Sequence, residues 1–333
     1  MKRTKAVSLP LVLLLVVVLF LSLFLFSCGG GGGGGSKDIA ATAYTGERSL
    51  AYLDADNAEA LILGAYGGFE YDAIIPLSLE APAAGGTGIN DPYHLATLVE
   101  QVVRLAQPDT RVIPLDLLGP GELCSNYPAG YTTDTLTETD SGVQGDIRFY
   151  NCDVGDGFDV IIFDGKMSLS VDYDGDLLKL SMTVNPLYMD DGVDRYGLYG
   201  KLSATVHEYD MTSDITINMT LEEPSGKTYW LNNYKINSAE TSVTVEPIGT
   251  YWGTQSTVSG RYYSNDHGYV DFVTEEVIFV PFDELAPVYD GLITFTGSDG
   301  SHANLWLGVN RDDYCINVFN AAGVVNIGTC APR

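Results

Sequence analysis

The chain has 333 residues, of which 45% are hydrophobic, so it is long enough for one large domain or two small ones with a buried core. Its 44 acidic residues outnumber 17 basic ones and give a net charge of −27. This charge argues against nucleic-acid binding and against electrostatic attachment to anionic lipid, because both need a basic surface. The 37 glycines and 21 tyrosines, with only 18% charged residues, favour strands and turns.

The first residues have the composition of an export signal. Three basic residues within the first five precede an apolar run over residues 11–26, which ends at Ser27 and Cys28 before seven glycines. A run of this length lies between a secretory signal and a membrane span. The alternatives are a cleaved signal and an uncleaved signal anchor with an incidental cysteine. The junction of a small residue, a cysteine and a flexible tract favours cleavage.

The sequence Leu25-Phe26-Ser27-Cys28 resembles the lipobox of bacterial lipoproteins. The resemblance implies that residues 1–27 are a lipoprotein signal peptide, that Cys28 is lipidated, and that residues 28–37 are a glycine-rich tether. Because Gly29 stands where an aspartate would favour the inner membrane, the implied location is the outer membrane, on its periplasmic or surface face. Two or three acyl chains suffice for stable anchoring, so the membrane is an expected partner.

Two motifs beyond the tether extend this resemblance. Tyr44-Thr-Gly46 is followed by the segment 56–61, and a tyrosine-rich segment spans 260–270. Together with the leader, they are similar to a group of acidic bacterial envelope lipoproteins. The resemblance implies a location and no activity.

Residues 38–110 are predicted to form a mixed segment of helices and strands. Asp56 precedes an apolar stretch, with Glu59 three positions later, which indicates a helix over 56–66 that begins with a capping box. A second helix is predicted over 92–106, where apolar residues recur at helical spacing after a proline. We expect both helices to pack on a sheet.

Residues 111–333 are predicted to form an antiparallel β domain. A turn at Asp174-Gly175 would place Val171 opposite Leu178 and Leu169 opposite Leu180, so that one face is apolar. Similar hairpins are predicted over 214–231, 262–273, 292–307 and 315–330. Since no helices separate these strands, the sequence predicts a mainly β fold, an antiparallel meander forming a sandwich or barrel.

Four cysteines remain after the lipidated one, and an exported protein would oxidise them. Four cysteines allow three pairings. Local pairing is favoured because a hairpin-like segment lies between Cys124 and Cys152, and another between Cys315 and Cys330. A metal site is the alternative, but the chain has no CxxC spacing.

Acidic residues cluster in turns with glycines, an arrangement that also suits weak Ca²⁺ binding. Because Asp-Gly is the ordinary composition of hairpin turns and no EF-hand glutamate follows, diffuse attraction of divalent cations is the alternative. No other cofactor is predicted. The weak calcium candidates are Asp153, Asp156, Asp159, Asp172, Asp174 and Asp176.

Aromatic residues are concentrated between residues 251 and 270, where only Arg261 and Asp266 are charged. Such a composition is typical of an interface core. The alternative is that alternate residues face inward and fill a core. The predicted binding residues are Trp252, Tyr262, Tyr263 and Tyr269.

These features predict a lipid-anchored cell-envelope protein with a non-catalytic binding or structural role, whose partner is an envelope protein or a polysaccharide. One alternative is a periplasmic carrier of hydrophobic ligands on a half-barrel, which would require an open apolar cavity. A further alternative is a hydrolase acting on polysaccharide with two of the many carboxylates. The sequence has no G-x-S-x-G motif and no paired histidines, so catalytic residues are not assigned.

Overall fold

A computed structural model describes residues 38–67, 124–126, 128–153, 162–190, 192–207, 209–245, 249–281, 290–307 and 314–328. The predicted leader with Cys28 and its tether, the helix predicted over 92–106, Asp156, Asp159 and Cys330 lie outside these residues.

The described chain begins with two helices and continues as strands. Helix α1 spans Ile39–Ala43 and helix α2 spans Ala58–Gly67. The strands are β1 Tyr131–Asp134, β2 Thr137–Glu138, β3 Gly142–Asp153, β4 Ile162–Asp174, β5 Leu177–Asp190, β6 Arg195–His207, β7 Thr212–Glu222, β8 Thr228–Val245, β9 Gly249–Ser264, β10 Gly268–Pro281, β11 Asp290–Thr296, β12 His302–Leu307, β13 Tyr314–Asn320 and β14 Gly323–Gly328.

All strands belong to one sheet. From β3 to β14 each strand pairs antiparallel with the next in sequence, while β1 and β2 both pair with β3. This confirms the mainly β, antiparallel meander with helices in the N-terminal part. The sheet is open, with β1 and β14 at its ends, and does not close into a barrel.

The two faces of the sheet differ in polarity. The inner face carries Tyr234 and Tyr262, and one apolar cluster on it extends from Ile147 on β3 to Val318 on β13. The outer face carries Trp230 and polar or charged residues. Because strand side chains alternate between faces, the period-two sequence pattern produces this division directly.

Glycines within strands permit close approach of neighbouring backbones. Gly200 on β6 has φ +136°, and a Cβ atom there would lie 2.1 Å from the carbonyl oxygen of Asn218 on β7. Such positions mark local bends in long sheets.

The hairpin of β4 and β5 forms, but its turn differs from the predicted one. Asp174 pairs with Leu177, so Gly175 and Asp176 are the central residues, and Val171 faces Leu180 rather than Leu178. Gly175 has φ +69°, which suits the first central position of a type II′ turn. The partners shift by two residues, so the apolar face is unchanged.

Helix α2 begins near the predicted position with a different cap. The Asp54 carboxylate accepts hydrogen bonds from the backbone N–H groups of Asp56 and Asn57, at 2.9 and 3.2 Å. Asp56 therefore lies in the turn that precedes α2, where it donates to Asp54, and is not the capping residue. The apolar side of α2, with Leu61 and Ile62, packs in the core of the inner face.

Candidate functional site

The four predicted binding residues do not form one exposed strip. Trp252 is 64% exposed, but Tyr262 and Tyr263 retain only 4% and 7% exposure, and Tyr269 is half-buried. Successive strand residues point to opposite faces, so Tyr262 enters the inner core and Tyr263 lies on the outer face. The prediction of one exposed aromatic strip is therefore wrong, because Tyr262 and Tyr263 are buried on opposite sides of the sheet.

Tyr263 and Tyr269 instead belong to an aromatic cluster on the outer face. The ring of Tyr263 stacks on Trp230, with centroids 4.4 Å apart and planes 16° apart. Tyr269 and Tyr44 contact the other sides of Tyr263, at 5.0 and 5.3 Å. Trp230 and Tyr44 were not among the predicted binding residues. Only the pairing of β8 with β9 could have revealed Trp230, because it lies opposite Tyr263 in that ladder.

Tyr44 belongs to a segment, residues 38–54, that we call the strap. Helix α1, at the start of the strap, lies on β6, β7 and β8. The Thr220 hydroxyl donates to the carbonyl of Ala40 at 2.9 Å, and the Asn218 amide donates to the Asp38 carboxylate at 2.9 Å. The strap is therefore joined to the outer face at its first residues.

The strap then passes the hairpin ends of the sheet. Its backbone exchanges hydrogen bonds with Tyr269, at 2.8 Å from the Ala51 N–H and 2.9 Å to the Ser49 carbonyl. Farther on, the Leu53 N–H donates to the Ser301 hydroxyl at 3.0 Å. The strap thus leads from α1 on the outer face to α2 on the inner face.

Helix α2 is held on the inner face by two tyrosines. The Tyr234 hydroxyl donates to the carbonyl of Ala65 at 2.8 Å, and Tyr234 is fully buried. Burial raises the pKa of Tyr234, as it does for Tyr262, so both phenols stay neutral donors at physiological pH. Gly64 faces the Tyr262 ring, where a Cβ atom would lie 2.5 Å from the phenolic oxygen.

Two arginines border the aromatic cluster. The Arg48 guanidinium lies 5.3 Å from the Tyr44 ring centroid and donates to the carbonyl of Ala41 at 2.7 Å, close to the end of α1. Arg261 lies 3.9 Å from the Tyr269 centroid and binds both carboxylate oxygens of Asp271, at 2.7 and 2.9 Å. The hydrogen bonds to Asp271 raise the pKa of Arg261. Both cations therefore stabilise the packing of the cluster.

Asp153, Asp172 and Asp174 make local contacts, whereas Asp176 is exposed in the turn between β4 and β5. Asp172 accepts a hydrogen bond from the Ser141 hydroxyl, and Asp174 lies 3.8 Å from the Lys179 ammonium. The backbone N–H of Asp153 donates to the Asn126 side chain at 3.1 Å. Over the described ranges, no three histidine, cysteine or acidic side chains form a group that could hold a metal ion.

Of the two predicted local disulfides, one lies wholly within the described residues. Cys124 and Cys152 form a disulfide with Cα atoms 4.9 Å apart, which confirms this predicted bridge. Cys315 is also disulfide-bonded, and its predicted partner Cys330 lies outside the described residues.

No protein-family profile, curated protein or solved structure matches this chain. In the part of the chain that the structure describes, none of the helices combines the length and the apolar character needed to cross a membrane.

Proposed function

We propose that the chain is a lipid-anchored protein of the bacterial outer membrane whose β domain has a non-catalytic binding or structural role. The observation that carries this proposal is the strap. It begins at Asp38, directly after the predicted tether, and its side chains and backbone are bonded to the sheet. A tether that continues into the strap would join the lipid anchor directly to the sheet. A protein that holds a binding surface at the membrane needs such a connection.

The packing of the inner face supports a binding or structural role over a carrier. Met167 on β4, Met182 on β5 and Ile217 on β7, all on the inner face, retain at most 1% exposure. A face filled in this way behaves as a core, which holds a surface in place. The third alternative, a polysaccharide hydrolase, stays a prediction without assigned residues.

The anchor is tested by Cys28→Ala, with Ser36→Ala in the tether as the matched control. We expect Cys28→Ala to lose incorporation of labelled fatty acid and to leave the processed membrane fraction, while Ser36→Ala keeps both. The lipid anchor is refuted if the Cys28→Ala protein remains membrane-bound at its normal processed size.

The carrier is a second candidate, because α2 lies on the inner face of an open sheet, as a helix in a half-barrel would. Organic extraction of the purified full chain, followed by mass spectrometry, separates the two functions. A scaffold yields no stoichiometric apolar ligand beyond its own acyl chains. A carrier yields one that survives mild delipidation and disappears on unfolding.

A further inference from the structure

The last four strands differ in charge from the rest of the sheet. Within the strands β11, β12, β13 and β14 themselves, Asp290 is the only aspartate, glutamate, lysine or arginine, in a chain of net charge −27, and Asp299 lies in the turn between β11 and β12. The first half of the sheet instead carries outer-face ion pairs, Lys166 with Asp146 at 2.7 Å and Arg195 with Asp164 at 3.1 Å. From Leu292 onward, the outer face of these four strands therefore carries no aspartate, glutamate, lysine or arginine, on a strongly acidic protein.

A row of amides crosses the centre of this surface. Asn304, Asn317 and Asn326 lie directly opposite one another on β12, β13 and β14. The Asn317 amide donates to the Asn326 carbonyl oxygen at 3.0 Å. On β11, the Thr294 hydroxyl extends the row by donating to Asn304 at 3.2 Å. At the usual strand spacing, these four polar groups span about 14 Å.

Aromatic side chains flank the amide row on both sides. Along the outer face of β12, His302, Asn304 and Trp306 follow one another at every second residue. The His302 ring stacks on Phe319 of β13, with centroids 4.6 Å apart and planes 7° apart. The surface therefore alternates rings and amides along the strand direction.

This surface is held by a rigid support. The opposite sides of the same strands carry Phe295, Leu305 and Val318, each fully buried. On the outer side, Asn326 and His302 are exposed, while Asn304 and Phe319 are partly exposed. Because the amides are already oriented by each other, a ligand would lose little side-chain freedom on binding them.

We infer that this surface, defined by Thr294, His302, Asn304, Asn317, Phe319 and Asn326 and named here the amide platform, binds a neutral polysaccharide. Each amide carries a donor and an acceptor in one plane, which matches the hydroxyl groups of a sugar. The flanking rings offer flat apolar contacts for the C–H faces of sugar rings.

Charge selects a neutral ligand over a charged one. An acidic polysaccharide would approach against the negative field of the whole molecule, and the platform offers no cation to attract it. A basic partner would find stronger attraction on the acidic half of the sheet. The inference supplies a ligand class for the binding role proposed above, but it does not depend on the lipid anchor.

The test is affinity electrophoresis of the full chain in native gels that contain a neutral glucan, mannan or galactan. Polygalacturonate serves as the acidic comparison, and a polyoxyethylene detergent keeps sugar-based detergents out of the assay. We expect at least one neutral polysaccharide to retard the protein, and added salt to leave this retardation unchanged, since no ion pairs are involved.

Asn304→Asp and Asn326→Asp probe the platform without removing bulk. Asn326→Asp keeps an acceptor oxygen for Asn317 and so preserves the fold. Each variant should raise the dissociation constant for the polysaccharide about tenfold, the usual effect of one lost polar contact. Ser203→Asp on the exposed outer face of β6 adds the same charge and should bind like the wild type.

Three outcomes would overturn the inference: no retardation by any neutral polysaccharide, equal retardation by polygalacturonate, or equal loss in Ser203→Asp and the platform variants. A concentration-dependent dimer in sedimentation, broken by Asn326→Asp, would instead assign the platform to a second copy of the chain. Each of these results is independent of whether Cys28 is lipidated, so the anchor and the platform fail separately.

Discussion

The phenolic oxygen of Tyr44 lies 2.8 Å from the carbonyl oxygen of Ser264, a residue 220 positions later in the chain. The same oxygen lies 2.7 Å from the carbonyl of Glu47 within the strap. Burial raises the pKa of Tyr44, so the phenol remains a donor across the physiological range. This contact joins the strap to the hairpin of β9 and β10.

The Tyr44 ring and hydroxyl should contribute separately to stability. We expect Tyr44→Ala to lower the free energy of unfolding by about 3 kcal/mol, because it empties a buried ring site. Tyr44→Phe keeps the ring and should cost about 1 kcal/mol for the lost hydrogen bond. Urea denaturation measures both, with Tyr209→Ala, at an 85% exposed site, as the control. Equal losses for Tyr44→Ala and Tyr209→Ala would show that the strap is not docked.

Gly64 should be required for the seating of α2 on Tyr262. In a helix, alanine is normally more favourable than glycine by about 1 kcal/mol. At position 64, however, a Cβ atom would lie 2.5 Å from the Tyr262 phenolic oxygen and 2.8 Å from its Cζ atom. We expect Gly64→Ala to destabilise the protein by about 1–3 kcal/mol through overpacking. Thermal denaturation gives the sign, and stabilisation by Gly64→Ala would contradict the packing described.

A double-mutant cycle locates the cause of that loss. Tyr262→Phe removes the atom nearest to the added methyl group, so the double variant should be more stable than the sum of the two single changes predicts. Strict additivity would mean that Gly64 is needed for another reason.

Asp146 should make stability depend on acid pH. Hydrogen bonds from the Lys166 ammonium, 2.7 Å away, and from the Ser168 hydroxyl hold the pKa of its carboxyl below the usual range. A carboxyl with a lowered folded-state pKa binds fewer protons folded than unfolded, so its stabilisation is present above the unfolded pKa and is lost as pH falls. Asp146→Asn should cost about 0.5 kcal/mol at neutral pH, since the pair is exposed.

Denaturation curves from pH 7 down to pH 3 check this expectation. The difference between wild type and Asp146→Asn should shrink steadily with acid, because protonation makes the two side chains alike in charge. A difference that stays constant or grows would exclude Asp146 as a source of the pH dependence. At neutral pH, Asp174→Asn should cost less stability than Asp146→Asn, because the Asp174 carboxylate lies 3.8 Å from the Lys179 ammonium at an exposed site.

Non-reducing peptide mapping of the exported protein should recover Cys124 linked to Cys152, and Cys315 linked to Cys330. The first loop spans 28 residues, so replacing both cysteines by alanine should cost about 3 kcal/mol. A peptide that joins Cys152 to Cys315 would contradict local pairing. Free thiols at all four positions would argue against export.

Local sequence patterns predicted the strands well and their exact pairing less well. Alternation correctly assigned Val171, Leu169 and Leu180 to one face. The partner assignment failed by two residues, because Asp-Gly and Gly-Asp turns are both compatible with the letters around Gly175. Turn geometry depends on φ and ψ values that composition alone does not specify.

The candidate sites show the same limit. A cluster of tyrosines in sequence predicted an exposed strip, yet neighbouring residues such as Tyr262 and Tyr263 necessarily face opposite sides of a strand. The three asparagines of the amide platform lie on consecutive strands, with Asn317 and Asn326 only 9 positions apart, but asparagine content alone did not single them out. Only strand pairing aligns Asn304, Asn317 and Asn326.

The sequence by itself determined the β class, the antiparallel order of the strands and the two-faced pattern of each strand, because all of these follow from short-range spacing. It favoured the Cys124–Cys152 bridge among three possible pairings. The tertiary structure alone decided that the sheet stays open, that the strap docks through Tyr44 and Trp230, and that the last four strands align their asparagines on one outer surface. These features bring together residues as many as 267 positions apart, as in the hydrogen bond from the Asn320 amide to the Leu53 carbonyl. Such contacts depend on the packing of whole faces, and no local window of residues contains that information.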